Sequence, residues 1–192
     1  MSTPRKHAIR PATLEAIVEA AIRLLNVNAG ATMSEIAARA GVGRATLHRH
    51  FRTRNDLVRA IGLRCIEEMN AAVRGGQDAG KPAVDRLRSM FRAVIPMGDR
   101  YSFLSLESAD DAGVRQGYRA QLQWVAALVE DLKIQGDIAA DVPTPWAVAQ
   151  IDQLVWTGWN GIAEGYLTPD EASELAVGTL LRGLHGEARP HA

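Results

Sequence analysis

Every long segment of this chain carries apolar residues at helical spacing, and no useful stretch alternates apolar and polar residues as a half-buried strand would. The first case is Leu14, Ile17, Val18, Ala21, Ile22 and Leu25, which fall at i, i+3, i+4, i+7, i+8 and i+11. That spacing predicts one core-facing stripe of a helix ending at Asn28-Ala29-Gly30. Thr32-Met33-Ser34-Glu35 has capping-box spacing and opens a short helix to Ala40. Gly41 supplies a tight turn, a third helix covers 43–51, and Thr53-Arg54-Asn55-Asp56 opens a longer one to Arg74. Further helical patterns fill 82–95, 99–108, 111–135, 145–165 and 169–184. Thr144-Pro145 and Thr168-Pro169 each place Thr as N-cap and Pro as first helical residue, and Glu171 completes a box with Thr168. The predicted fold is all-α. A helix-turn-helix unit with a basic N-terminal arm occupies residues 1–54, and a second helical domain occupies 55–192. Within the latter, Gly75 to Gly80 reads as a linker.

Charge divides the chain in the same sense. Residues 1–74 hold 12 Lys+Arg against 6 Asp+Glu, whereas 75–192 hold 10 against 16, so a neutral total hides a basic front and an acidic back. A polyanion partner is expected at the front. The longest apolar run, Trp124 to Val129, has six residues, far short of the roughly 20 that span a membrane. The polar, basic start MSTPRKHAIR does not read as a secretory signal. One cysteine, Cys65, excludes an internal disulfide and a zinc-finger cage, and the expected setting is reducing cytoplasm. Cys65 itself reads as a small core residue.

The third helix reads Gly43-Arg44-Ala45-Thr46-Leu47-His48-Arg49-His50-Phe51. At about 100° per residue, turning Leu47 inward leaves Phe51 about 40° away, while Ala45 and Arg49 point nearly opposite. Thr46 and His48 lie on the flanks. The outward face is small or hydrogen-bonding, which suits a helix in a DNA major groove. There Arg49 offers a fork to guanine O6 and N7, and Ala45 permits close approach. Thr46, His48 and Arg44 reach phosphates or base edges. Thr32 and Arg54 start helices and suit phosphates. The arm Arg5-Lys6…Arg10 follows a minor groove or adds charge. His48 and His50 point about 200° apart, which argues against a metal pair.

The stretch Thr13 to Ile61 resembles the DNA-binding region of TetR-family transcriptional regulators. The matching residues are Ala20-Ala21…Leu24-Leu25, Thr32, Ile36-Ala37…Ala40-Gly41-Val42, Thr46-Leu47, His50-Phe51, Arg54 and Leu57. The resemblance implies a homodimer on a palindromic double-stranded operator, most often as a repressor, with a C-terminal domain that binds a small ligand and releases the DNA. It favours a phosphate contact for His50. It also suggests that some aromatics of the back half line a ligand cavity, with Phe103, Trp124 and Trp156 the candidates and a hydrophobic or aromatic ligand the match. It implies that the corresponding last two helices, 145–165 and 169–184, form a four-helix bundle across the dimer. Their stripes are Ile151, Leu154, Val155, Gly158, Ile162 and Ala172, Leu175, Ala176, Thr179, Leu180, Gly183. The chain departs from the family at Gly43, usually Ser, and at His48 and Arg49, usually aromatic. A glycine cap costs only a few tenths of a kcal/mol, roughly, so the departures bear on which operator is read. They also leave an alternative: a small-molecule-binding helical protein with lost or altered DNA recognition. Glu107, Asp110 and Asp111 could be paired acids or part of a metal site, but Asp110 or Asp111 reads rather as the cap of the helix that follows. No phosphate-cradling glycine loop, HExxH, G-x-S-x-G or CxxC is present, so no enzyme, metal or cofactor is implied.

Overall fold

A computed structural model describes residues 11–74, 80–106 and 111–185. The helices run α1 Pro11–Val27, α2 Met33–Arg39, α3 Arg44–His50, α4 Arg54–Arg74, α5 Ala83–Val94, α6 Gly98–Leu106, α7 Ala112–Ile134, α8 Thr144–Ala163 and α9 Pro169–Leu184, with a 3-10 turn at Ile95–Met97. Among the described residues there is no strand, and no helix is long and apolar enough to cross a membrane. The arm Arg5-Lys6…Arg10, most of the 75–80 segment, Glu107 and Asp110 lie outside the described residues.

Local chemistry sets most helix ends. Thr32 caps α2 and Thr168 caps α9, each with the reciprocal glutamate bond, and Thr53 and Asp56 exchange bonds of 3.0 Å at the start of α4. Asp111 caps α7 by accepting from the Gly113 and Val114 amides. Thr144 does not cap α8: it lies inside the helix behind Pro143, and its hydroxyl instead contacts Glu130 and accepts from Lys133 Nζ at 2.6 Å. Gly41 has φ +67°, which a side chain rarely adopts. The Val42 amide then bonds back to the Ala37 carbonyl and the Gly41 amide to that of Ala38, closing α2 as a Schellman motif.

The head packs α1, α2 and α3 around Ile17, Ala21, Ile36 and Leu47, with Phe51 and the α4 residues Leu57 and Ile61 completing the core. The body packs α8 against α9 as an antiparallel pair, α5 against α9 and α7, and α7 against α4 and α8. α4 belongs to both: its first turns are buried in the head, while Ile66 and Met69 are buried towards the body. Two close approaches fix the body. A Cβ on Gly117 would sit 2.8 Å from Ile66, so α7 presses on α4 there, and a Cβ on Gly98 would sit 1.7 Å from Trp159 Cγ, so the start of α6 lies on that indole.

The predicted contact stripes of α8 and α9 are largely internal. Ile151, Val155, Gly158, Ala172, Ala176 and Leu180 are buried within their own chain. Periodicity revealed an apolar face but not what covers it. The α9 stripe is split, its members Leu175, Thr179 and Gly183 facing outward, whereas the outward residues of α8, Trp146, Gln153 and Thr157, lie outside the predicted stripe.

Candidate nucleic-acid interface and its coupled cavity

Leu47, fully buried, pins α3 to the head, and Phe51 seals its C-terminal end. Arg44, Ala45, His48 and Arg49 are consequently exposed, and Thr46 and His50 are half-buried. Gly43 starts the helix without a side-chain cap bond. The geometry thus brings Arg44, Ala45, Thr46, His48 and Arg49 onto one accessible element. His50 is half-buried, and its Nε2 is buried without a hydrogen-bond partner.

The two residues at helix starts have partners inside the protein. The Thr32 hydroxyl donates to Glu35 at 2.7 Å, and the same carboxylate accepts the Thr32 amide at 2.7 Å. These bonds hold the Glu35 carboxyl below the usual range. Arg54 Nη2 donates to the Ala29 carbonyl at 2.6 Å, tying α4 to the loop between α1 and α2. A phosphate would have to share or displace these bonds.

Exposed cations without ion pairs cluster on this face. Arg39, Arg44, Arg49 and Arg52 are exposed and, among the described residues, form no ion pair. By contrast Arg86, Arg88, Arg92 and Arg100 all meet carboxylates. Uncompensated cations around an exposed helix are what a phosphate backbone attracts. Arg39 and Arg52 were not singled out from sequence, although both flank the turn-helix segment.

Behind the head, a cavity of about 370 Å³ opens between α4, α5, α7 and α8. Its volume falls within the range of small-molecule sites, roughly 300–1,000 Å³. Its wall includes Met69, Asn70 and Arg74 of α4, Met90 and Val94 of α5, Tyr118, Gln121 and Trp124 of α7, and Ile151 and Asp152 of α8. Of the three predicted aromatics, Trp124 lines it. Phe103 is fully buried in α6, away from this lining, and Trp156 packs against Trp159 with ring centroids 5.1 Å apart. Tyr118, Gln121 and Trp124 share one face of α7 at three-residue spacing, the signal that could have located the wall from sequence. Gln121 Nε2 donates to Asn70 Oδ1 at 3.1 Å, so the wall is bonded directly to α4.

A charged seam joins body and head. Arg100 of α6 contacts Asp99 and, across the seam, Glu19 of α1, and it reaches Glu68 of α4 at 3.3 Å. Arg64 bonds Glu68 at 2.7 Å and Glu15 at 2.5 Å. Burial works against the Arg100 charge and the Glu68 charge alike. The carboxylates outweigh it and raise Arg100, while bonds from Arg64 and Arg100 bring Glu68 below its usual value. Beside the seam, burial pushes the Cys65 thiol up to about 12.

Residues 17–61 match the family described as bacterial regulatory proteins, tetR family. The chain is 28% identical over 156 residues to the HTH-type transcriptional repressor LfrR of Mycolicibacterium smegmatis, covering 81% of this chain and 82% of that protein. The crystal structure of the TetR-like regulator LfrR from Mycobacterium smegmatis in complex with proflavine superimposes with TM-score 0.72 at 26% identity, over 90% of this chain and 97% of that one. Residues 17–61 therefore carry a TetR-type DNA-binding segment within a TetR-like fold. The match and the LfrR relative support a transcriptional regulator with a DNA-binding helix-turn-helix, the segment from α2 to α3. The TetR-type architecture extends to distant sequences: the ketosteroid regulator KstR2 of Mycobacterium tuberculosis matches with TM-score 0.74 at 15% identity over 93% of this chain and 97% of that one, a likeness of fold alone.

Proposed function

We propose that the chain is a ligand-responsive repressor that binds a palindromic operator as a homodimer. In this reading α3 of each protomer enters a major groove, the two heads being about one DNA turn apart, roughly 34–36 Å, or a multiple of it. Arg49 reads a guanine, Ala45 sits close to the bases, and Arg44, Thr46, His48 and His50 with Arg39 and Arg52 hold the backbone. Thr32 and Arg54 support the phosphate contacts from the helix starts. Dimerisation uses the outward face of α8 and α9, where Trp146 and Leu175 remain 57% and 51% exposed on a single protomer.

The observation that carries the regulatory part is the double membership of α4. One 21-residue helix is buried in the head at Leu57 and Ile61 and walls the cavity at Met69 and Asn70. A hydrophobic or aromatic ligand in the cavity therefore presses on the same rigid element that carries the head. The name of the LfrR relative, a repressor, and its complex with proflavine support the same reading. DNA is released only if the ligand binds the non-reading head arrangement more tightly than the reading one. The test is selection of bound duplexes from a random pool, followed by ligand-induced release from the selected site. A symmetric motif, lost on ligand addition, is the expected result; no enriched motif would remove the DNA-reading role.

A further inference from the structure

α4 and α7 run side by side in the same direction, and their contacts fall in register. Arg59 Nε meets Asp111 Oδ2 at 3.3 Å, and a Cβ on Gly113 would lie 3.8 Å from Leu63 Cδ2. A Cβ on Gly117 would lie 2.8 Å from Ile66 Cδ1, and Gln121 Nε2 donates to Asn70 Oδ1 at 3.1 Å. Gln121 Nε2 also reaches the Ile66 carbonyl at 3.3 Å. The buried Ile66 is therefore gripped twice by residues one helical turn apart on α7: its side chain lies against Gly117, and its carbonyl accepts from Gln121. Within a helix that carbonyl already has the amide four residues on as its partner, so the bond from Gln121 is not needed to satisfy it and serves position instead. Glycine inside a helix is less stable than alanine, yet at 117 it admits Ile66 and leaves no side chain to interlock with α4. Ile66 also stands between the two ends of α4, with Leu57 and Ile61 in the head on one side and the cavity residues Met69 and Asn70 on the other. Gln121 itself belongs to the cavity wall. Packed helices shift by small sliding movements, and a bare seat closed by one polar latch permits such a movement where interdigitated side chains resist it.

We propose that α7 sets the attitude of the head through Ile66, with Gly117 as the seat on which α4 turns and Gln121 as the latch that holds the DNA-reading position. Gln121 and Gly117 are thus positioning residues for α3. The inference rests on the proposed DNA-reading role and adds the point at which the body acts on α4. It is tested on the full chain, without ligand, by anisotropy titration of an operator selected from a random pool and of a random duplex, with the unfolding midpoint of each variant measured alongside. Gln121→Leu keeps apolar bulk but removes both bonds, and it should weaken operator binding about tenfold while leaving the random duplex within about twofold. Gly117→Ala should give a similar operator-selective loss, because its methyl meets Ile66 Cδ1. Adding Ile66→Val, which deletes that atom, should restore operator binding to within about threefold of wild type, a rescue that general damage to the fold would not show. If wild type selects an operator but either single variant lacks the operator-selective loss, or Ile66→Val fails to rescue Gly117→Ala, the joint falls and the DNA-reading role stands. Should Gln121→Leu not fold, the Gly117→Ala and Ile66→Val pair decides by the same criterion. If wild type selects no operator, both fall.

Discussion

Arg49 and Arg54 leave neighbouring helices, but their surroundings predict different phenotypes. Arg49 is exposed and, among the described residues, unpaired, so Arg49→Ala should cost roughly 1–3 kcal/mol on the best operator and relax preference at one base pair. Sequencing of DNA selected by wild type and variant checks this; an unchanged preference removes Arg49 as a base reader. Arg54 bonds the Ala29 carbonyl, so Arg54→Ala should do two things at once. It should flatten the salt slope of binding by about 1 for every DNA sequence, and lower stability by about 1 kcal/mol through the freed loop. Loss confined to one operator would contradict the first effect, and an unaltered denaturation midpoint the second. Cys65 is fully buried with its thiol pushed up to about 12, so a thiol reagent at neutral pH should leave native protein unlabelled and react only on unfolding. Fast labelling of folded protein would refute its place in the core.

At the scale of elements, Gly98→Ala is expected to be costly because its Cβ would overlap the Trp159 ring, not a flexible chain end. Overpacking of that kind costs roughly 1–3 kcal/mol, to be read as a fall in chemical-denaturation midpoint. What sequence could predict at this scale depended on how local the chemistry was. Thr32 with Glu35 and Thr168 with Glu171 are three residues apart, and both capping boxes were legible. Thr144 carried a similar signature, but Glu130 and Lys133, supplied by the preceding helix, take its hydroxyl. The inward Leu47 and outward Arg49 followed from helical angles alone. The cavity did not, because its wall depends on how α4, α5, α7 and α8 pair, which periodicity cannot specify. The same limit explains Phe103, whose apolar bulk fits core and cavity equally well. It also explains the α8 stripe and the Ala172, Ala176 and Leu180 half of the α9 stripe, which face their own chain.

Across the whole molecule, the head is joined to the body by α4 and by the Arg64–Arg100 seam. Glu68 is held below its usual pKa, so its contribution is present above the unfolded value, about 4.3, and fades as pH falls through the lower folded value. Stability measured by unfolding should therefore drop on acidification below about pH 4.5, and Glu68→Gln should make that drop shallower. An identical acid limb in the variant would exclude Glu68 as a contributor. Arg100 links α6 to both α1 and α4, so Arg100→Met should leave ligand affinity close to wild type while weakening ligand-driven DNA release. The central claim is that the exposed α3 face with its unpaired arginines reads duplex DNA, and its most direct test is fluorescence anisotropy of a selected operator duplex against increasing protein. Saturable, salt-sensitive binding that Arg49→Ala weakens more on that operator than on random duplex is predicted. Equal binding of operator and random DNA, unaffected by Arg49→Ala, would contradict it.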